Sequence, residues 1–178
     1  IIVKKKIIIP TDFYFLQVSV VCLIDLFLFL SIKLSRVMKI FITGGTSGIG
    51  WALTEYYLGK GHQVGVCGRD LNKLPTISKS FLGKGLECFE VDVTDRVALI
   101  EAIESFSQGK LDLLIANAGI SQGDKSSYPK FSTAREILKI NLDGFLNTFE
   151  AGFNIMEKEG GHLVAISSVA GLVGLPGA

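Results

Sequence analysis

From Met38 onward, short apolar runs alternate with stretches whose apolar residues recur every three or four positions. The runs "KIFIT" (39–43), "QVGVC" (63–67), "LECFEV" (86–91), "LDLLIA" (111–116) and "HLVAIS" (162–167) have the length and the Val, Ile, Leu and Phe content of strands buried on both faces. Between them, Ile49, Leu53 and Tyr57 fall at helical spacing, as do Val97, Ile100, Ile103 and Phe106 behind the cap-like Thr94-Asp95. A further helix is predicted over 133–156, where Gly144 and Gly152 lower the helix propensity without ending the pattern. Strand and helix in alternation, with short links, predict parallel strands joined by right-handed crossovers. The fold class is α/β, a doubly wound parallel sheet in a three-layer α/β/α arrangement. The longest irregular stretch, "SQGDKSSYPKFS" (121–132), follows the fourth run, where such sheets place ligand-binding loops.

Residues 1–37 break this pattern. "FYFLQVSVVCLIDLFLFLSIKL" (13–34) is long enough to cross a bilayer as a helix. Asp25 in its middle opposes that, and Lys4 to Lys6 on one side and Lys33, Arg36 and Lys39 on the other leave an orientation unspecified. The chain opens on Ile, and Met38 stands directly before the first predicted strand. Residues 1–37 are therefore taken as a hydrophobic leader of upstream sequence, with a membrane anchor as the alternative, and 38–178 as the folded domain.

Composition narrows the function classes. A net charge of +1 and a pI near 7.9 give no electrostatic footprint for nucleic acid. Cys22, Cys67 and Cys88 are odd in number and lack metal-ligand spacing, which points to a reducing compartment, the cytoplasm. A membrane enters only if 13–34 is a true anchor. His62 and His162 each follow a glycine and precede an apolar run, the position of a polar residue at a strand entrance.

Chemistry is concentrated where the predicted strands end. "TGGTSGIG" (43–50) sits between the first strand and the first helix, the context a nucleotide-binding glycine loop requires. There Gly44 permits a tight turn, Gly48 lets backbone approach a pyrophosphate, and Gly50 permits close packing, with the helix N-terminus facing the negative charge. "DVTD" (92–95) ends the third strand, "NAG" (117–119) the fourth and "ISSVAG" (166–171) the fifth, while "IN" (140–141) lies in the following helix. In this order and spacing the motifs resemble those of the short-chain dehydrogenase/reductases, over essentially all of 38–178.

The resemblance implies a Rossmann-type, dinucleotide-binding fold and hydride transfer between a nicotinamide and a small-molecule carbonyl or secondary alcohol. Cofactor-binding residues would be Gly44, Thr46, Ser47, Gly48, Ile49 and Gly50 of the loop, Asp92 at the adenine with Val93, and Asn117, Ala118 and Gly119. Ser168 would be the catalytic serine that binds the substrate oxygen, with Ser167 beside it. Asn141 would hold the active-site helix and a proton-relay water. The second strand ends "CGRD", and Arg69 falls near the distance from the glycine loop at which the ribose 2′ position is read. A cation there favours the 2′-phosphate, hence NADP, with NAD as the alternative through Asp70, which could equally cap a second helix.

The family's tyrosine acid follows the serine, in a Tyr-x-x-x-Lys motif whose lysine favours the phenolate. Counted from Ser168, it falls a few positions past Ala178. Tyr14 lies in the leader, Tyr56 and Tyr57 in the first helix, and Tyr128 in a loop. The expectation is an N-terminal portion of the fold, incomplete on its C-terminal side and inactive by itself, whose full-length form is a candidate homo-oligomer. The competing function is a non-catalytic dinucleotide-binding sensor module. Ser168 and Asn141 speak against it; the missing Tyr and Lys speak for it.

Overall fold

The computed structural model describes residues 2–4, 14–16, 37–121 and 131–168. Strands Ile2–Lys4 (β1) and Tyr14–Leu16 (β2) pair antiparallel, Ile2 opposite Leu16. Three residues of the stretch read as a candidate membrane helix are thus strand, while residues 17–36 lie outside the described part. Among the described residues no helix is long and apolar enough to cross a membrane.

The main sheet has five parallel strands: Lys39–Thr43 (β3), Gln63–Gly68 (β4), Leu86–Glu90 (β5), Leu113–Ala116 (β6) and His162–Ala165 (β7), in the order β5-β4-β3-β6-β7. All five coincide with the runs read from sequence, to within two residues at each end. The order reverses direction between β3 and β6, which places the mouth of the sheet at the carboxyl ends of those two strands.

Helices Gly48–Gly59 (α1), Arg96–Ser107 (α2), Phe131–Leu138 (α3) and Gly144–Glu159 (α4) cover the sheet, with a π-helical turn, Lys139–Asp143, joining α3 to α4. Strand alternation divides the core in two. Ile40, Ile42, Val64, Val66, Leu113 and Ile115 face Trp51, Leu53, Tyr57 and Leu58 of α1. Phe41, Cys67 and Leu114 face Leu99, Ile103 and Phe106 of α2 and Ala151 and Met156 of α4. Burial pushes the Cys67 thiol up to about 12, so it behaves as a small hydrophobe.

Three local expectations are corrected. Val97, read as a core position of α2, is 60% exposed and Ile100 is half-buried, while Leu99 is fully buried. Ile103 and Phe106 are buried as expected, so only the first turn of the stripe differs; of the cap-like pair, Asp95 is the N-cap, its Oδ1 accepting from Ala98 N at 3.1 Å. No α-helix links β4 to β5. Leu71–Lys73 and Thr76–Ser80 form 3₁₀ turns there, split by Pro75, which disfavours the helical conformation in the residue before it. The helix predicted over 133–156 extends to 131–159 and is interrupted by the π turn.

The opposite edge of the sheet is closed by polar groups. Asp112 Oδ2 accepts from Lys39 N at 2.9 Å, and Lys39 Nζ donates to the carbonyls of Phe106 and Ser107 at the end of α2, where a cation opposes the helix dipole. His62 sits buried at the entrance of β4, its Nδ1 accepting from Met38 N at 3.2 Å, and burial lowers its pKa against the upward pull of Asp112. It is a structural histidine, as its place in the sequence suggested.

The corrected face of α2 gives a direct test. Leu99→Ala is expected to cost about 2–5 kcal/mol through the cavity it leaves, whereas Val97→Ala stays within about 0.5 kcal/mol as a surface change. Urea unfolding midpoints of the two variants check the pair.

Candidate functional site

The glycine loop, residues 44–47, leaves β3 and enters α1 at the mouth of the sheet. Gly44 has φ +67°, and a Cβ there would lie 2.8 Å from Ala118 Cα. A side chain at Gly50 would collide with the Gly44 carbonyl and come within 2.5 Å of Asn117 Nδ2. Gly48, at φ +54°, has nothing within 4 Å of where its side chain would point. The loop is packed against protein on one side and open on the other.

Two side chains hold that shape. Asn117 Nδ2 donates to the carbonyls of Thr43 and Gly44, both at 3.1 Å. Thr43 Oγ1, buried, accepts from Asn117 N at 3.2 Å and Ala118 N at 3.3 Å and donates to Ile115 O at 3.4 Å. The sequence reading gave Thr43 no role; its signal was the polar residue closing an otherwise apolar buried strand. Gly45, also unassigned, lets the loop lie on Val66, whose Cγ1 would be 2.6 Å from an added Cβ.

The N-terminus of α1 carries an unopposed positive pole. Ser47, the N-cap, makes no side-chain capping bond, and the first turn has no acidic residue. The first N–H groups of a helix have no partner within it, and an anion is their natural complement. Ile49 is 53% exposed, although the helical pattern placed it with Leu53 and Tyr57 on the core side. Thr46 is the reverse: its side chain is buried against Gly68, where a Cβ would stand 2.7 Å from Thr46 Oγ1, so it has only its main chain to offer a ligand.

The remaining predicted residues gather on the same edge. Asp92 follows β5 and its Oδ1 accepts from Thr94 N at 2.8 Å, an Asx turn that fixes the carboxylate. Val93 is buried against Gly144 of α4, and its carbonyl accepts from Asn147 Nδ2 at 2.9 Å. Gly119 lies against Asn141, whose Oδ1 accepts from Ile120 N at 2.8 Å and whose Nδ2 donates to Ile120 O at 2.9 Å. Asn141 thus fastens the loop after β6 from within the π turn, a geometry often found at functional sites. Ile166 N continues the sheet by donating to Ala116 O, and Ser167 and Ser168 emerge exposed just beyond it. Arg69 leaves β4 on this edge with its side chain 51% exposed. Asp70 is committed elsewhere: its Oδ1 accepts from Asn72 N at 2.9 Å and caps the first 3₁₀ turn. Residues 122–130 of the predicted ligand loop and the "VAG" of the last motif lie outside the described residues.

Tyr56 and Lys60 have the Tyr-x-x-x-Lys spacing, which the sequence reading passed over. Tyr56 is about 12 Å along α1 from Gly48, toward the opposite edge of the sheet. There it meets the Tyr57 ring edge-on and holds Lys60 Nζ 5.7 Å from its ring centroid. The pair is remote from Ser168.

Residues 38–178 match the family described as short chain dehydrogenase. An uncharacterized oxidoreductase of Mycobacterium tuberculosis is 32% identical over 146 residues, 78% of this chain and 58% of its own length. Among solved structures, ElxO with NADP bound matches at TM-score 0.70 and 29% identity, over 79% of this chain and 59% of that one. A 3-oxoacyl-(acyl-carrier protein) reductase with bound NAD from Brucella melitensis matches at TM-score 0.67 and 28% identity, over 82% and 60%. This chain therefore spans less than two thirds of each.

Replacing Asn117 by Asp turns an amide that serves two carbonyls into a carboxylate facing them. The expected cost is about 3 kcal/mol or more, against about 1–2 kcal/mol for Asn117→Ala. Thermal or urea unfolding of both variants measures the difference.

Proposed function

Because the chain belongs to the short-chain dehydrogenase family, we propose that residues 38–178 bind NADP(H) in preference to NAD(H) and form part of an oxidoreductase acting on a small-molecule carbonyl or secondary alcohol. The observation that carries this reading is the α1 N-terminus, uncapped by Ser47 and free of acidic residues in its first turn, beneath a glycine loop open on one side. That cradle fits a dinucleotide diphosphate, which needs backbone N–H donors and no side chain in its way.

The proposed roles join the family resemblance to this geometry. The N–H groups at the start of α1 hold the diphosphate, with Gly44, Thr46, Ser47, Gly48, Ile49 and Gly50 shaping the cradle. Asp92 and Val93 take the adenine, and Asn117, Ala118 and Gly119 wall the groove between β3 and β6. Arg69 meets the ribose 2′-phosphate, a charge-assisted contact for which Asp70, engaged in its cap, does not compete. When bound, the nicotinamide supplies or accepts the hydride. Ser168 presents its hydroxyl to the substrate oxygen from the end of β7. Asn141 acts as a positioning residue through Ile120, since both ends of its amide are used on that backbone.

No described tyrosine of residues 38–178 is proposed as the proton donor. Tyr57 is buried in the core and Tyr56 packs on it at the far part of α1, and Tyr128 lies outside the described residues. NADP and NAD are both found in the matching structures; the cation at Arg69 is what tilts the proposal to NADP. The free thiols Cys67 and Cys88 support a cytoplasmic setting. Leu138, Leu142 and Leu146, exposed four residues apart from α3 through the π turn into α4, support a homo-oligomer with this face covered by a second copy.

Arg69→Glu in the full-length protein is expected to weaken NADPH binding by about 1.5–3 kcal/mol and to leave NADH binding far less affected. Calorimetric titration with each cofactor distinguishes the cases; equal losses would remove Arg69 as the discriminator.

A further inference from the structure

Arg69 has a partner at the mouth of the site. Its Nη1 lies 4.0 Å from Oε1 of Glu136 on α3, and the two side chains are 51% and 57% exposed. The carboxylate adjacent in sequence, Asp70, is turned to the Asn72 N–H, so among the described residues Glu136 is the anion paired with Arg69. An exposed pair at this separation contributes little to the fold. It does place a negative charge beside the cation proposed to receive a phosphate, and like charges at such range repel.

We propose that Glu136 is a specificity-determining residue that restrains NADP(H) affinity: it occupies Arg69 in the free protein and must release it to the 2′-phosphate. The inference rests on the reading of Arg69 given above. A ribose 2′-hydroxyl carries no charge, so NAD(H) neither needs Arg69 released nor meets repulsion from Glu136. Glu136 thereby narrows the preference that Arg69 creates. Because α3 follows β6 while Arg69 follows β4, the balance between the cofactors is set jointly by two segments far apart in the chain.

The test uses the full-length protein, wild type and Glu136→Gln, a near-isosteric change at an exposed position. Each is titrated with NADPH and NADH, and with adenosine 2′,5′-bisphosphate and adenosine 5′-monophosphate, which probe the adenine half alone. Glu136→Gln is expected to tighten NADPH and the bisphosphate about threefold at low salt, the scale of an exposed ion pair. The gain should shrink at high salt, and the two ligands without a 2′-phosphate should be unchanged. In an Arg69→Gln background the gain should shrink, since Arg69 is no longer there to be released and only the repulsion between Glu136 and the 2′-phosphate is left to relieve. Wild-type binding of NADPH with no gain in Glu136→Gln would overturn the role of Glu136 alone. A gain undiminished by the loss of Arg69, or one that extends equally to NADH, would overturn it too, and a structural role would instead weaken all four ligands. Wild-type protein that binds none of the four would remove the cofactor reading and this inference with it.

Discussion

The hydrogen bonds between Thr43 and residues 115–118 join the exits of β3 and β6, and the form of the site depends on that junction. One buried hydroxyl bonds three backbone groups, and one amide nitrogen serves two carbonyls. With these groups fixed, Gly44 must turn through positive φ and Gly50 must come under its carbonyl, which leaves the helix end aimed at the groove. Buried polar groups arranged this way have low tolerance for change, because each lost partner strands another in a low-dielectric setting. The junction is at once a structural lock and the wall of the proposed cofactor groove.

A second constraint comes from the helical segment running from α3 through the π turn to α4. Asn141 in the turn holds Ile120, Asn147 one and a half turns later holds the Val93 carbonyl, and Glu150 makes a two-pronged ion pair with Arg96, with Arg96 Nε 2.8 Å from Oε2. The exposed ion pair adds little energy of its own, but it repeats the orientation that the two amides impose. One element therefore fixes the loops after β5 and β6 relative to each other. Through these bonds the packing of α4 bears on the walls of the proposed dinucleotide groove.

The strands and the loop were legible because buried parallel strands are written as continuous apolar runs and a glycine loop has a fixed place between strand and helix. Asn117 and Asp92 were singled out through the resemblance of the motifs at the strand ends, and the structure shows each hydrogen-bonded to backbone there. What sequence could not supply was phase and side-chain destination. Val97 and Leu99 are both apolar, yet Leu99 is buried against the sheet and Val97 stands exposed. Thr46 reads as a loop hydroxyl yet is buried on Gly68, and Ile49 reads as core yet stands exposed. The π turn and the Arg69–Glu136 pair depend on tertiary contacts that no local pattern encodes.

An anionic dinucleotide is proposed to sit on the α1 N-terminus, in the groove walled by the Thr43–Asn117 junction. Amide chemical shifts of the isotopically labelled full-length protein, followed through a titration with NADPH, test it most directly. The account predicts that the largest changes fall on Ser47 to Gly50, with Arg69, Asp92, Val93 and Ala118 to Gly119 following the same saturation curve. Saturable binding that leaves Ser47 to Gly50 unmoved and shifts residues elsewhere would contradict it.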